Sequence, residues 1–472
     1  MWTVNEISEG CRGTIEGDFH NTESGIVGGF SIDSRTIRPN EVFFALHGPR
    51  FDGHDFIDAI FQRGAAGAVV SRPAFQVRQK EWALFYRHHF FILVDDTLAA
   101  LQAMAIWHRN RFRLPLVGVT GSNGKTTTKE MTASILSRRG PVLKNEGNLN
   151  NHIGLPLSLL RLREEHQAAV VEMGISQKGE MKRLCEIARP TVGLVTNIGP
   201  AHLEFLGDLA GVAKEKGELF ESIGSGGTGV INRDDPYLRP WEERLADRWT
   251  FGIDSDADVT ASAIEQKATE TCFTLHLNRS GEAAEILLPI VGRHQVYNAL
   301  AAAAVASALG LGLHEIREGL EQFRPVALRT EILKVRGATI LLDAYNANPA
   351  SMKAALQMLA SYRPEGASSR RIALLGDMLE LGGSADAAHL EIGNRAAQLG
   401  IDLLITVGER AEKTAEGARQ AGMAAVFVHP DLESAQRFLR ETMKEGDCLL
   451  IKGSRGMKME RVLAGLGAEG NS

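Results

Sequence analysis

The chain has 472 residues, of which 44% are hydrophobic and 23% are charged, values that exclude a wholly disordered protein. Its length favours about three domains, because a single core rarely grows past roughly 250–300 residues. The 52 basic and 58 acidic residues leave a net charge of −6, which argues against a protein that coats nucleic acid or an anionic membrane.

The cysteines and the N-terminal sequence bear on the compartment. The first thirty residues lack the basic stretch and apolar core of a secretory signal, and no apolar run has the roughly 18–20 residues that cross a bilayer. The cysteines are too scattered for a disulfide framework or a zinc site: Cys11, Cys185, Cys272 and Cys448. We therefore expect a cytoplasmic chain with no membrane insertion and no nucleic-acid partner.

The first hundred residues favour a small α/β unit. Short apolar strands are predicted at 41–46, 66–70 and 90–94, with a helix at 56–63. We expect a first domain at residues 1–97.

A second α/β series follows. It begins with a purely apolar strand at 116–119 and continues with strands at 168–173, 192–197 and 229–232, separated by helical segments. Apolar strands that alternate with helices are typical of a buried parallel sheet. We expect residues 98–326 to form a central domain with a parallel sheet of the P-loop ATPase type.

A third series begins after Arg324 and Pro325. Its predicted strands lie at 339–344, 371–376, 402–408, 425–428 and 447–452, again with helices between them. This pattern predicts a C-terminal Rossmann-like domain with an open sheet at residues 327–472. The expected fold class is therefore α/β, with three domains.

The strongest local signal is GVTGSNGKTTT at residues 118–128. An apolar strand, a glycine loop and an amphipathic helix direct backbone N–H groups at one spot, which favours an anion. Lys125 would reach the outer phosphates of a nucleotide, and the Thr126 hydroxyl would bind Mg²⁺. Val119 replaces the first glycine of the longer phosphate-loop pattern, and an ordinary glycine turn is the alternative. The predicted nucleotide contacts are Gly121, Ser122, Asn123, Gly124, Lys125, Thr126 and Thr127.

Further segments along the chain carry a family pattern. They are 145–156 (NEGNLNNHIGLP), 171–179 (VEMGISQKG), 196–204 (TNIGPAHLE), 214–220 (KEKGELF), 292–298 (GRHQVYN), 328–331 (LRTE), 343–349 (DAYNANP), 375–380 (LGDMLE) and 452–455 (KGSR). Together with the phosphate loop, they resemble the Mur ligases of peptidoglycan synthesis over essentially the whole chain. DAYNANP and NLNN are most typical of the branch that adds D-alanyl-D-alanine to UDP-N-acetylmuramoyl-tripeptide.

The resemblance implies an ATP-dependent amide ligase of peptidoglycan synthesis, and so a role in cell wall biogenesis, cell shape and cell division. A carboxylate is a poor acyl donor, so ATP first converts it to an acyl phosphate. That step brings two anions together and needs concentrated positive charge. The resemblance implies two Mg²⁺ ions, held by Thr126, Glu172, His202 and Lys216. It also makes Lys125, Glu172, His202, Lys216 and Arg329 the catalytic residues.

Lys216 has an unusual implied role. In related ligases, a lysine about fourteen residues after the metal-binding histidine is carbamylated by CO₂, which turns a cation into a metal-binding carboxylate. Lys216 lies fourteen residues after His202. Lys214 is the competing choice, and an ordinary surface lysine is the alternative to both.

The remaining implied contacts fall in all three domains. His294 and Asn298 share one face of a predicted helix and would contact adenine, whereas Gln295 stands where asparagine is common. Arg329, Asp343 and Tyr345 would reach the nucleotide from the third domain, so that closure of the two domains excludes water. The implied substrate contacts are Ser34 and Arg35 for UDP, and Asn150, Asn151, Asn346 and Asn348.

The expected function is the ligation of D-alanyl-D-alanine to UDP-N-acetylmuramoyl-tripeptide by a monomer. Another Mur enzyme or a folylpolyglutamate synthase is the alternative of the same architecture, and the DAYNANP segment argues against both. A P-loop switch or motor would hydrolyse nucleotide without an amine acceptor. A nucleotide-binding protein without catalysis is opposed by the presence of Lys125, Glu172 and His202.

Overall fold

The computed structural model describes residues 2–17, 26–86, 88–362 and 370–467. In the N-terminal part, strands and helices alternate as β1 (Trp2–Thr3), α1 (Val4–Cys11), β2 (Thr14–Glu16), β3 (Ile26–Val27), β4 (Gly29–Ser31), β5 (Glu41–Phe44), α2 (Ile57–Gln62), β6 (Gly67–Ser71), α3 (Arg72–Trp82), β7 (Phe90–Val94) and α4 (Thr97–Arg109). The sheet order is β2-β7-β6-β5-β4, parallel from β4 to β7, with β2 antiparallel at one edge. The α/β pattern predicted for this part is confirmed.

The central part carries a larger sheet. Its elements are β8 (Leu116–Thr120), α5 (Lys125–Leu136), β9 (Val142–Lys144), α6 (Gly154–Leu159), β10 (Ala168–Glu172), α7 (Glu180–Ala188), β11 (Val192–Val195), α8 (Leu203–Leu206), α9 (Leu209–Ser222), β12 (Thr228–Asn232), β13 (Asp247–Gly252), β14 (Val259–Gln266), β15 (Thr271–Leu277), β16 (Glu282–Leu288), α10 (Arg293–Ala308) and α11 (Leu313–Glu321). The strand order is β16-β15-β14-β13-β12-β11-β8-β10-β9. The four predicted strands lie within two residues of β8, β10, β11 and β12.

The prediction of a parallel central sheet is only partly right. β15 runs antiparallel to β14 and to β16, so one end of the sheet is an antiparallel meander. β16 alternates between exposed and buried residues because one of its faces meets solvent. A strand of this kind lacks the continuous apolar run by which a buried parallel strand is found in the sequence.

The C-terminal part carries the third sheet. Its elements are β17 (Glu331–Val335), β18 (Ala338–Leu342), α12 (Pro349–Ser361), β19 (Arg371–Gly376), α13 (Ala385–Gln398), β20 (Leu403–Val407), α14 (Ala411–Gln420), β21 (Val426–His429), α15 (Leu432–Thr442) and β22 (Cys448–Lys452). The order is β17-β18-β22-β19-β20-β21. The five predicted strands are confirmed within two residues, but the sheet also has β17, which pairs antiparallel with β18.

The ends of the parallel strands determine where a ligand-binding site can lie. Their carboxyl ends meet at one edge of each sheet, which is where α/β proteins bind ligands. The loops after β8, β10 and β11 line a cleft together with the loop after β18 and the last residue of β22. β8 itself is buried on both faces, with Leu116 in one hydrophobic core and Val117 and Val119 in another. Among the described helices, none is both long and apolar enough to cross a bilayer.

Candidate active site

The phosphate loop connects β8 to α5 and depends on two glycines. Gly121 has φ +147°, and a Cβ there would lie 1.9 Å from Oγ1 of Thr196. Gly124 has φ +80°, and a Cβ there would lie 2.2 Å from Oδ1 of Asn298. Only glycine fits such backbone without strain or collision. The ammonium of Lys125 donates to the Gly121 carbonyl at 2.9 Å, which folds this side chain back over the loop.

We expect Gly124→Ala to weaken nucleotide binding by about tenfold or more, because the left-handed backbone and the contact with Asn298 each oppose a side chain. Gly147→Ala is the matched control, since Gly147 has φ +53° with nothing within 4 Å of a new Cβ. Calorimetric titration with ADP measures both variants. Equal affinity of the two variants would show that crowding at Gly124 does not matter.

A buried carboxylate lies beside the loop. Glu172 ends β10, and its Oε2 accepts a hydrogen bond from the Thr126 hydroxyl at 2.6 Å. Its Oε1 accepts one from Nδ2 of Asn150 at 2.8 Å. Burial acts to raise the pKa of Glu172, but Lys125, these hydrogen bonds and Arg329 together hold that pKa below its usual value. Glu172 is therefore a carboxylate at neutral pH.

Two residues without a predicted role fix the backbone of Glu172. The Asn145 side chain accepts from the Glu172 N–H at 2.9 Å and donates to the Glu172 carbonyl at 3.0 Å. The ammonium of Lys129, which is 1% exposed, donates to the Asn145 carbonyl at 2.5 Å. Asn145 belongs to the NEGNLNN segment, but its bonding to a residue on another strand could not be read from that motif.

The structure distinguishes the two lysines on α9. Lys214 is exposed, whereas Lys216 is 2% exposed. Burial lowers the pKa of Lys216 well below its usual value, and the nearby Lys125 ammonium lowers it further against the opposing effect of Glu215 and Glu172. Within the described part of the chain, no hydrogen bond or ion pair engages the Lys216 amine. This side chain is therefore a buried lysine whose charged form is disfavoured.

His202 lies between the second and third sheets. Its Nδ1 is 3.0 Å from Oε2 of Glu380, which follows β19. Burial lowers the pKa of His202, Glu380 raises it, and Lys216 and Lys125 lower it further. His202 lines the same cleft as Lys125 and Thr126.

Residues of the third sheet complete the cleft. The Arg329 guanidinium lies 3.9 Å from the centre of the Tyr345 ring, and its buried Nε has no hydrogen-bond partner among the described residues. Arg329 and Lys125 both lower the pKa of Glu172, so two cations face one carboxylate. A buried donor without a partner, beside a second cation, suits an anionic ligand.

Lys452 organises the loop after β18. Its ammonium is 2.5 Å from Oδ2 of Asp343 and donates to the Asn346 carbonyl at 3.0 Å. Lys452 belongs to the KGSR segment but was given no role by the sequence. It fixes the position of the Asp343 carboxylate, one of the predicted nucleotide contacts.

One predicted substrate residue instead touches the phosphate loop. Nδ2 of Asn348 donates to Oδ1 of Asn123 at 2.7 Å, which joins the third sheet to the second. Oδ1 of Asn348 accepts from the Ser351 N–H at 2.9 Å and so begins α12. Asn346 and Asn151 also line the cleft.

A smaller cavity of about 350 Å³ adjoins the cleft of about 650 Å³. His294 and Asn298 reach it, and Gln295 links them, donating to Nε2 of His294 at 3.0 Å and accepting from Nδ2 of Asn298 at 2.8 Å. Gln295 thus orients both neighbours, although no clear role could be assigned to it from the sequence. The sequence also missed Asp234, which lines this cavity and accepts from the Tyr297 hydroxyl at 2.8 Å.

Ser34 and Arg35 lie away from this cleft. Both follow β4 in the N-terminal part and are not among the residues that line either cavity. The Arg35 guanidinium binds both carboxylate oxygens of Asp33, at 2.9 and 2.7 Å. The structure therefore does not bring these two residues together with the phosphate loop.

The donor atoms at the loop suit Mg²⁺ only in part. A carboxylate, Glu172, and a hydroxyl, Thr126, are oxygen ligands of the kind that Mg²⁺ prefers. In the described ranges, no group of three or more His, Cys, Asp or Glu side chains is placed to hold a metal ion. A further anionic oxygen ligand at Lys216 would complete the predicted set.

Comparison with known proteins decides the family. The sequence matches the Mur ligase family catalytic domain at residues 27–109, the Mur ligase middle domain at 119–306 and the Mur ligase glutamate ligase domain at 328–455. A UDP-N-acetylmuramoyl-tripeptide–D-alanyl-D-alanine ligase of Bacillus subtilis is 35% identical over 466 residues, covering 98% of each chain. The chain belongs to the Mur ligase family.

Solved structures of Mur ligases agree with this assignment. A crystal structure of MurF from Acinetobacter baumannii matches with a TM-score of 0.87 and 32% identity, covering 98% of both chains. MurF from Thermotoga maritima, solved in complex with ADP, matches with a TM-score of 0.80 and 29% identity over 93% of this chain and 96% of that one. Each matched segment covers most of one of the three large sheets, although β2 lies before the first segment.

Proposed function

We propose that this Mur ligase is an ATP-dependent enzyme that joins D-alanyl-D-alanine to UDP-N-acetylmuramoyl-tripeptide through an acyl phosphate. The relative from Bacillus subtilis, similar over its full length, is named for this ligation. The observation that carries the chemistry is that Lys125 of the central part and Arg329 of the C-terminal part line the same cleft as Glu172. Concentrated positive charge is what the phosphorylation of a carboxylate requires.

ATP would lie along the cleft with its phosphates on the loop at residues 121–127 and its nucleoside in the adjoining cavity. The loop N–H groups and the N-terminus of α5 suit phosphate oxygens. Asp234 and Asn298 present polar atoms at the cavity for a base or sugar. Asp343, Tyr345 and Arg329 would reach the nucleotide from the third sheet.

Thr126, Glu172 and His202 are the proposed metal-binding residues, for two Mg²⁺ ions with Lys216. Bound Mg²⁺ would supply positive charge at the phosphate oxygens. Carbamylation makes Lys216 a suitable ligand: its neutral amine attacks the carbon of CO₂, a C–N bond forms, and the nitrogen loses a proton. The product is a carbamate with one negative charge, which would be attracted to the Lys125 ammonium.

The chain's own residues then act in two steps. During phosphoryl transfer to the tripeptide carboxylate, Lys125 and Arg329 stabilise the charge that develops on the transferred group. The free amine of D-alanyl-D-alanine attacks the acyl phosphate, and the tetrahedral intermediate expels phosphate to form the amide. Closure of the third sheet over the second, through contacts such as Asn348 with Asn123, would exclude water from the acyl phosphate.

The substrates are proposed to span the three sheets. Ser34 and Arg35 would contact UDP, and Asn150, Asn151, Asn346 and Asn348 would contact the peptide portions. We further propose that the enzyme acts as a monomer in the cytoplasm, where ATP is available.

Phosphate release tests the proposal. With ATP, Mg²⁺ and UDP-N-acetylmuramoyl-tripeptide present, we expect sustained release only when D-alanyl-D-alanine is added. Each phosphate should be matched by one molecule of the UDP-linked pentapeptide. Release that is indifferent to the dipeptide would instead support a nucleotide hydrolase such as a P-loop switch.

A further inference from the structure

The contact between His202 and Glu380 joins two different parts of the chain. His202 lies just before α8 in the central part, and Glu380 lies in the loop after β19 of the third sheet. Nδ1 of His202 and Oε2 of Glu380 approach to 3.0 Å in a charge contact, and the buried Nδ1 has no aligned hydrogen-bond partner among the described residues. Glu380 is the only carboxylate of the described residues that forms an ion pair with His202, and no role is assigned to it above.

Both residues are held in an unfavourable backbone conformation. His202 has φ +54° and Glu380 has φ +62°, the left-handed region that non-glycine residues seldom adopt. Such conformations persist where the surrounding structure imposes them, and they concentrate at functional sites. Strain at both partners of one contact indicates that the surrounding structure imposes the contact. Either residue in an ordinary backbone conformation would direct its side chain elsewhere.

The loop that carries Glu380 is fixed by hydrogen bonds to other residues of the C-terminal part. The Met378 N–H donates to Nε2 of His389 at 3.0 Å, and the Leu379 N–H donates to Oγ of Ser454 at 2.9 Å. On the other side, the N–H of Leu206 donates to the His202 carbonyl at 3.0 Å, which fixes the start of α8. Two anchored segments therefore present their side chains to each other across the cleft.

Fold stability is a poor explanation for this pair. The Glu380 side chain is 62% exposed, and ion pairs at such exposure contribute little to folding. A carboxylate at one ring nitrogen of histidine has another known consequence. Its negative charge favours a proton on that nitrogen, attracts that side of the ring, and leaves the other nitrogen free to bind a metal ion.

We propose that Glu380 is a positioning residue for His202, supplied by the third sheet so that the metal-binding imidazole is oriented only when the two parts are together. The proposal rests on the proposed function, in which His202 is a metal ligand. It couples metal affinity to closure of the cleft, because opening would withdraw the carboxylate. Glu380 acts through His202 and touches neither nucleotide nor peptide.

Manganese binding tests the inference without relying on turnover. Mn²⁺ is titrated into the full-length protein with ADP present, and free Mn²⁺ is measured by electron paramagnetic resonance. We expect Glu380→Gln and Glu380→Gly to raise the dissociation constant by about tenfold, as for other carboxylates behind a metal-bound histidine. Glycine accepts the left-handed backbone, so the second variant removes the carboxylate without adding strain.

Glu409→Gln is the matched control. Glu409 follows β20 of the same sheet, is 92% exposed, and lies 4.0 Å from its nearest cation, Arg410. The control removes one negative charge and should bind Mn²⁺ as the wild type does. Equal weakening in all three variants would overturn the proposal, because the effect would then be one of net charge. Unchanged affinity in either Glu380 variant would also overturn it.

A kinetic comparison separates this inference from the proposed function. In the Glu380 variants the Mg²⁺ concentration for half-maximal ligation should rise about tenfold, with kcat at saturating Mg²⁺ little changed. A wild type that binds Mn²⁺ but never forms the amide would contradict the proposed function. The Mn²⁺ affinities of the wild type and the Glu380 variants could still be compared. A wild type that binds no Mn²⁺ in the presence of ADP would overturn the inference.

Discussion

Replacing Lys216 with alanine is expected to lower the rate of amide formation by at least about a hundredfold. The reason is the loss of the carbamate that would supply an anionic ligand in addition to Glu172. Added formate or acetate should restore part of the rate, because a small carboxylate can occupy the space left by the side chain. Phosphate release and pentapeptide formation, measured with and without the added anion, check this result.

Lys214→Ala is the control for Lys216→Ala. The two lysines lie two positions apart on α9, but Lys214 is exposed and should tolerate the change. Full activity of Lys216→Ala would contradict the carbamate proposal. Loss of activity in the Lys214 variant, with Lys216→Ala active, would transfer the role to Lys214.

The Lys125→Met variant should lose about a thousandfold in kcat, because cations that stabilise a transferring phosphoryl group contribute effects of this size. Methionine keeps most of the length of the side chain, so the change removes chiefly the charge and the hydrogen bond to the Gly121 carbonyl. Steady-state phosphate release in the presence of both substrates measures kcat.

Lys178→Met supplies the comparison for Lys125→Met. Lys178 is exposed on the loop after β10, so its replacement removes one positive charge from the same region without affecting the phosphate loop. We expect its kcat to match the wild type. If Lys125→Met kept a wild-type kcat, with only the affinity for ATP reduced, Lys125 would serve binding and not transfer.

The phosphate loop could be predicted because its signal is local. A strand, two glycines and the start of a helix lie within about a dozen residues, and each obeys a rule of backbone geometry. Glu172 and His202 could be placed for a similar reason, since Glu172 ends one apolar strand and His202 follows another, and such strand ends lie at the ligand-binding edge. The structure has these strands as β10 and β11.

The rest depends on contacts between distant residues. Asn145 clamps the backbone of Glu172, 27 positions away, and Lys452 orients Asp343, 109 positions away. No periodicity or spacing in the sequence indicates such pairs. The antiparallel β16 was missed for a different reason, because half-solvated strands lack the apolar run that marks a buried parallel strand.

Isotope transfer tests the acyl phosphate most directly. UDP-N-acetylmuramoyl-tripeptide is prepared with a heavy oxygen isotope in the carboxylate that is to be joined, and is incubated with ATP, Mg²⁺, D-alanyl-D-alanine and the enzyme. Our account predicts that each phosphate released carries one labelled oxygen, since the carboxylate oxygen leaves with the phosphoryl group when the amine attacks. Pentapeptide formed together with unlabelled phosphate would contradict it.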